Sequence, residues 1–223
     1  MPIIKKVSAI FFDMDGTLVD SETLTEPTVV TLCEELGIEN VDIDCTQFFG
    51  HSWLEIERRI IDYYPQLAGK ADFTARMQTL FNDLLISMQP PLINGSREML
   101  ISASQIMPVA VVSSSGRESI TETIRRMNVA QNVSFYAGFE DYEKCKPEPD
   151  GYLKAAEMLN IDPAECMVFE DSVAGIQSAK NAGMQVVNIS FRCAEKETAA
   201  GLADMVVRDY TDLPQDFLES IRK

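Results

Sequence analysis

Histidine and tryptophan occur once each in these 223 residues, as His51 and Trp53, and no two of the five cysteines form a CxxC pair. A lone histidine and scattered thiols (Cys33, Cys45, Cys145, Cys166, Cys193) do not make the four-ligand set of a structural zinc site. An odd cysteine count also argues against a closed disulfide framework, so the thiols read as reduced, as in a cytoplasmic protein. Basic residues are scarce: 19 Lys and Arg stand against 35 Asp and Glu, a formal net charge of -16. That excess repels nucleic-acid backbones and anionic membrane surfaces within a Debye length, and neither partner is expected. Long apolar runs are missing too. The opening run, Val7 to Phe12, is cut by Asp13 after six residues, too short for a membrane span or a signal-peptide core. A soluble, cytoplasmic chain is expected.

What is present is a strand followed by two different regimes. After Phe12 the pattern turns helical, with Leu24, Val30, Cys33 and Leu36 on one side and Gly37 where a helix would end. Leu54 to Tyr64 reads as a second helix, stopped by Pro65. In Asp72 to Gln89, residues Phe73, Met77, Leu80, Phe81, Leu84, Leu85 and Met88 keep the i, i+4, i+7, i+8 spacing of a packed face. Beyond Pro90 and Pro91, short apolar strands alternate with helical stretches: Val109 to Val112, Ser134 to Ala137, Met167 to Phe169 and Val186 to Ile189. Such alternation specifies a doubly wound parallel α/β sheet, Rossmann-like, with helices on both faces. The chain therefore divides into a core of residues 1–19 and 91–223 and a small inserted α-helical cap of residues 20–90. The connections around Asp20 and at Gln89-Pro90-Pro91 are natural hinges.

Asp13-Met14-Asp15-Gly16-Thr17 stands directly after the first strand, where open parallel sheets bind ligands, and Gly16 allows the chain to turn there. Alone, Asp-x-Asp-Gly could be a polar turn or the start of a calcium loop, but Thr17-Leu18-Val19-Asp20-Ser21 does not continue that loop. Glu170-Asp171-Ser172 ends another strand. In isolation it would be an ordinary helix cap; with Asp13 it offers hard oxygen ligands for magnesium. Ser113-Ser114-Ser115-Gly116 ends a third strand, where hydroxyls and N–H groups at a helix start can hold phosphate oxygens. Lys146, followed by Pro147, is a cation on a rigid backbone. An acidic chain that handles an anionic substrate needs such local positive charge.

In order and approximate spacing these four segments resemble the haloacid dehalogenase superfamily, in its branch with a helical cap inserted after the first strand. The resemblance spans the whole chain. It implies a magnesium-dependent phosphatase acting on small phosphorylated metabolites such as sugar phosphates. Asp13 would be the nucleophile and form an aspartyl-phosphate, and Asp15 the general acid and base. Ser113 and Lys146 would complete the catalytic set, with Ser114 and Ser115 beside the substrate. Magnesium would be held by the Asp13 carboxylate, the Asp15 main-chain carbonyl and Asp171, with Glu170 acting through a bound water.

The segment Phe48 to Trp53 resembles the cap loop that dips toward the substrate in relatives, making Gly50, His51 and Trp53 candidate contacts; aromatic packing between cap helices is the equal alternative. Asp15 disfavours halide displacement, which needs no proton donor. Lys70, the only cap lysine, follows Gly69 and is a poor Schiff-base former. The main rival is a sugar phosphomutase similar to beta-phosphoglucomutase; there a cap histidine and a cap arginine serve where this chain has Thr25 and Trp53. A non-catalytic phosphate-binding module is a further alternative, expected to lack one of the acids present here. A monomer is expected.

Overall fold

The computed structural model describes residues 4–48, 53–70 and 72–223. By contacts the chain separates into two compact units, Met1–Asp20 with Pro91–Lys223, and Ser21–Pro90. None of the described helices is long and apolar enough to cross a membrane.

The first unit begins with strand β1 (Ala9–Phe12). The helical unit follows with α1 (Thr25–Glu35), α2 (Trp53–Tyr63) and α3 (Phe73–Met88). The first unit then resumes through α4 (Ser96–Ser104), β2 (Val109–Val112), α5 (Arg117–Met127), β3 (Phe135–Ala137) and α6 (Asp150–Leu159). It ends with β4 (Cys166–Glu170), α7 (Val173–Asn181), β5 (Gln185–Ile189), α8 (Lys196–Leu202), β6 (Met205–Val207) and α9 (Phe217–Ile221). The strands form one parallel sheet in the order β3-β2-β1-β4-β5-β6. This is the doubly wound core with an inserted helical cap that the alternation of strands and helices specifies.

Chain order reverses at β1, which pairs with β2 on one side and β4 on the other. Crossovers leave in opposite directions from that point, so the loops after these strands diverge and open a crevice at their carboxyl ends. The four central strands, β1, β2, β4 and β5, are buried on both faces, which explains their continuous apolar runs. Alternate residues of β1 serve the two faces. Ala9 and Phe11 join Val112, Tyr152, Val168 and Ile176 in one core cluster. On the other face Phe12 stacks on Phe169, with centroids 5.1 Å apart and planes 9° from parallel, and Tyr210 and Phe217 tilt against Phe169.

The helical unit has its own core of Val29, Leu32, Phe48, Ile56, Ile60, Leu67, Phe73 and Met77. Its elements differ from the expected ones in detail. Along α1 the buried positions are Thr25, Thr28, Val29, Leu32 and Cys33, while Val30 is only half-buried. Gly37 has φ +89°, and the next N–H, of Ile38, returns to the Cys33 carbonyl and closes the helix. Met88, in the last turn of α3, is exposed although the spacing puts it on the packed face. Strand β6 has no counterpart in the expected set. It is a three-residue edge strand with Val206 facing solvent, too short and too exposed to give an apolar signal.

Where the chain leaves and re-enters the first unit, the Asp20 N–H donates to the Pro91 carbonyl at 2.8 Å, and Val19 bridges Leu92. Arg192, from the loop after β5, grips both Asp20 carboxylate oxygens at 2.8 and 2.7 Å.

Phe11 is fully buried in the centre of the sheet. Phe11→Ala should therefore cost about 3–5 kcal/mol of stability, through lost transfer energy and a residual cavity. Urea unfolding should show a lower midpoint at an unchanged slope.

Candidate active site

The ladder between β1 and β4 continues one residue past β1, where the Asp13 N–H donates to the Phe169 carbonyl at 3.0 Å. The chain then folds back: the Leu18 and Val19 N–H groups return to the Met14 carbonyl, and the Gly16 N–H donates to the Val19 carbonyl. Gly16 sits at φ +76°, and a Cβ there would lie 2.1 Å from Asp171 Oδ2. Only glycine fits, because the turn must pass directly against that carboxylate. Asp13, Glu170 and Asp171 are all buried, and one oxygen of each lies within 4.8 Å of the others.

Lys146 enters this cluster from the loop before α6. Its Nζ donates to Asp13 Oδ1 at 2.6 Å, to Glu170 Oε1 at 2.5 Å and to the Val112 carbonyl at 3.3 Å. Those three contacts account for the three protons of an ammonium. Glu170 is more heavily engaged. Its Oε1 also accepts from the Tyr152 hydroxyl at 2.9 Å, and its Oε2 accepts from the Asp171 N–H, the Ser172 N–H and the Ser172 hydroxyl at 3.1–3.2 Å. Thr17 donates to Asp171 Oδ1 across a longer 3.4 Å.

Asp15 is held on the β2 side. Its Oδ2 accepts from the Ser113 hydroxyl at 3.0 Å and the Ser115 hydroxyl at 2.7 Å, and the Ser115 N–H donates to Ser113 Oγ. The Tyr142 hydroxyl fixes the Ser113 carbonyl at 2.8 Å. At the start of α5, the Arg117 N–H is taken by the Glu140 carboxylate at 3.2 Å. The serine hydroxyls and the first N–H of α5, expected to face a phosphate, thus have partners within the protein. Ser114 is exposed.

Asp13, Lys146, Glu170 and Asp171 are therefore joined in one hydrogen-bonded group at the strand ends, and beside it Ser113 and Ser115 hold Asp15. Trp53 belongs to the helical unit, where its ring meets Phe81 edge-on at 5.0 Å. Thr25, also in that unit, is buried and donates to Glu22. Gly50 and His51 lie outside the described residues.

Charge is unbalanced in this pocket. Burial pushes the Asp13 carboxyl up from 3.8 to about 7; Lys146 opposes the rise, and Glu170 and Asp15 add to it. Burial works against the Lys146 ammonium, yet Asp13 and Glu170 outweigh it and hold the group well above its usual range. Burial, then the Glu170 charge, raises the Tyr152 phenol well above its ordinary value, so it remains a donor. Three buried carboxylates around one ammonium favour a further cation, and an all-oxygen set suits a hard divalent ion such as magnesium.

Tyr152, Tyr142 and Thr17 hold members of this site, Glu170, Ser113 and Asp171 in turn, and sequence reasoning gave them no role. Tyr152 precedes Ala155 and Ala156 at helical spacing and reads as a core aromatic. Its position six residues beyond Lys146, in the first turn of α6, was the available signal.

Residues 10–189 match the family model described as haloacid dehalogenase-like hydrolase, and the chain belongs to that family. It is an enzyme of the hydrolase class. Validoxylamine A 7'-phosphate phosphatase of Streptomyces hygroscopicus subsp. limoneus is 28% identical over 204 residues, covering 91% of this chain and 93% of the relative. The 6-phosphogluconate phosphatase of Escherichia coli is 28% identical over 199 residues, covering 86% and 85%. Among solved structures, a predicted phosphoglycolate phosphatase from Haemophilus somnus superposes with a TM-score of 0.78 at 19% identity, covering 94% of this chain and 97% of that one, a likeness of fold.

Two outcomes follow for metal binding. Gly16→Ala should lower divalent-cation affinity by about tenfold or more, by displacing Asp171, while circular dichroism stays near native. In the wild type, Asp13 must release its proton to bind metal, so affinity should fall by up to about tenfold per pH unit below about 7. Calorimetric Mg2+ titrations between pH 5.5 and 8 would measure both effects.

Proposed function

We propose that this enzyme is a magnesium-dependent phosphatase that hydrolyses small phosphate monoesters, sugar phosphates foremost, through covalent attack by Asp13. The observation that carries the reading is the pairing of two differently held carboxylates. Asp13 lies against Lys146 inside a cluster suited to a metal, whereas Asp15 is aimed by two hydroxyls. This pairing supports a reading in which one acid accepts a phosphoryl group and the other moves a proton.

In the first half-reaction an Asp13 carboxylate oxygen bonds to phosphorus as the ester P–O bond breaks, and Asp15, protonated, delivers its proton to the departing alkoxide. In the second, Asp15 takes a proton from water, the water oxygen attacks phosphorus, and the bond between phosphorus and the Asp13 oxygen breaks, releasing inorganic phosphate and restoring the Asp13 carboxylate and the protonated Asp15. Lys146 offsets negative charge on Asp13 and on the transferring group. Ser113 and Ser115 orient Asp15. Magnesium, when bound, would neutralise phosphate oxygens and bring the dianion to an acidic pocket. Asp13 and Asp171 are the carboxylates suited to hold it, with the main-chain carbonyl of Asp15. Glu170, whose oxygens already accept five hydrogen bonds, fits a supporting place behind a bound water.

Both curated relatives are named as phosphatases of small phosphorylated compounds, which supports this substrate class. We read the enzyme as a monomer of a reducing compartment, in keeping with five free cysteines.

The test is phosphate release across a panel of sugar phosphates, phosphoglycolate and nucleotides. Release should require Mg2+, stop on chelation, and fall at least about a thousandfold in Asp13→Asn. Isomerisation that depends on an added sugar bisphosphate, without phosphate release, would overturn the proposal.

A further inference from the structure

We propose that Tyr152 is a positioning residue of this site, whose hydroxyl sets how Lys146 is shared between Asp13 and Glu170. Its catalytic consequence rests on the reading of Asp13 as nucleophile; its effect on the free site does not.

Tyr152 and Glu170 are both fully buried, so water does not compete for their hydrogen bond. Glu170 Oε1 has two donors of different kinds: the ammonium of Lys146 at 2.5 Å and the neutral phenol of Tyr152 at 2.9 Å. Lys146 in turn lies between two carboxylates at nearly equal distance, 2.5 Å from Glu170 and 2.6 Å from Asp13. Such a balance depends on how much negative charge each carboxylate presents. By donating to Oε1, Tyr152 takes up part of the Glu170 charge and leaves more of the Lys146 interaction for Asp13. The same ring lies beneath Lys146, with Nζ 5.1 Å from its centroid. Lysine and tyrosine come from one continuous segment, the loop before α6 and that helix's first turn, so their relation is set locally.

Tyr152→Phe keeps the ring, its packing and the cation–π contact, and removes only the donor. Oε1 then has Lys146 as its remaining partner, and the ammonium shifts toward Glu170. Asp13 loses cover from a positive charge. Two effects of opposite sign follow. With the Asp13 carboxylate less covered, Mg2+ alone should bind tighter by about threefold or more, since a cation contact that opposed it has weakened. With the ammonium drawn off the reacting atoms, kcat should fall about tenfold while KM stays within about twofold, roughly the worth of one hydrogen bond.

The experiment uses the full chain. Mg2+ is titrated by calorimetry into wild type, Tyr152→Phe, Glu170→Gln and the double variant, with steady-state kinetics and thermal melts on the first two. Tighter Mg2+ binding together with a lower kcat supports the proposal, provided the tightening disappears in the Glu170→Gln background. Unchanged metal affinity and kcat overturn it. So do weaker metal binding with a lowered melting temperature, failure of Tyr152→Phe to fold, or an equal shift in both backgrounds; each would make Tyr152 a packing residue. Silence of the wild type toward every phosphate ester would sink the proposed function alone, because the metal titrations still decide the role of Tyr152.

Discussion

A single ammonium holds the centre of this molecule together. Lys146 touches Asp13, Glu170 and the end of β2 at once, so one side chain ties the carboxyl ends of three neighbouring strands. Removing one partner of such a buried pair typically costs about 3–5 kcal/mol, because the other charge is left uncompensated. Apolar residues of similar volume could make an equally stable core, so stability alone does not account for this arrangement. What an apolar replacement could not provide is a buried carboxyl group kept in low dielectric next to a cation.

The sheet makes this contact possible for residues far apart in sequence. Asp13 and Asp171 are 158 positions apart, yet the register of Phe12 on Phe169 sets their strands side by side, and the Asp13 N–H extends that ladder. Because β1 lies at the switch point, its end is flanked by β2 on one side and β4 on the other. The serine loop reaches Asp15 from one flank and the acid pair reaches Asp13 from the other. The aromatic stack of Phe12, Phe169 and Tyr210 beneath the site keeps these strand ends in register from the opposite face.

Much of this was legible because strands buried on both faces are apolar without interruption, and an acid at the end of such a run stands out. Asp13, Glu170 and the Ser113 turn were visible for that reason, and the Val109–Val112 strand was readable to the residue. Direction was harder to read. Nothing in Ser113-Ser114-Ser115 announces that the outer hydroxyls turn inward to Asp15 while Ser114 faces solvent. Tyr152 was hidden because a buried tyrosine and a core phenylalanine give the same helical periodicity; only the partner of its hydroxyl separates them. The edge strand β6 escaped because three half-exposed residues carry too little pattern to be distinguished from a loop.

Glu170 and Asp171 are adjacent in sequence and both acidic, yet their surroundings divide them. Glu170 is the last residue of β4, so the pleat turns its side chain to the face that carries Tyr152, where five donors receive it. Asp171 has left the strand and stands against Gly16 in the loop after β1. Each acid is accommodated by a missing side chain: a Cβ on Gly175 would fall 1.8 Å from Glu170 Oε1, as one on Gly16 would strike Asp171. Gly175 lies within α7, where glycine costs roughly 1 kcal/mol relative to alanine. That cost places the Glu170 carboxylate over the helix start, within reach of the Asp171 and Ser172 N–H groups. The pair is thus one acid that fixes a lysine and one that packs against the turn after β1, and each needs the glycine opposite it.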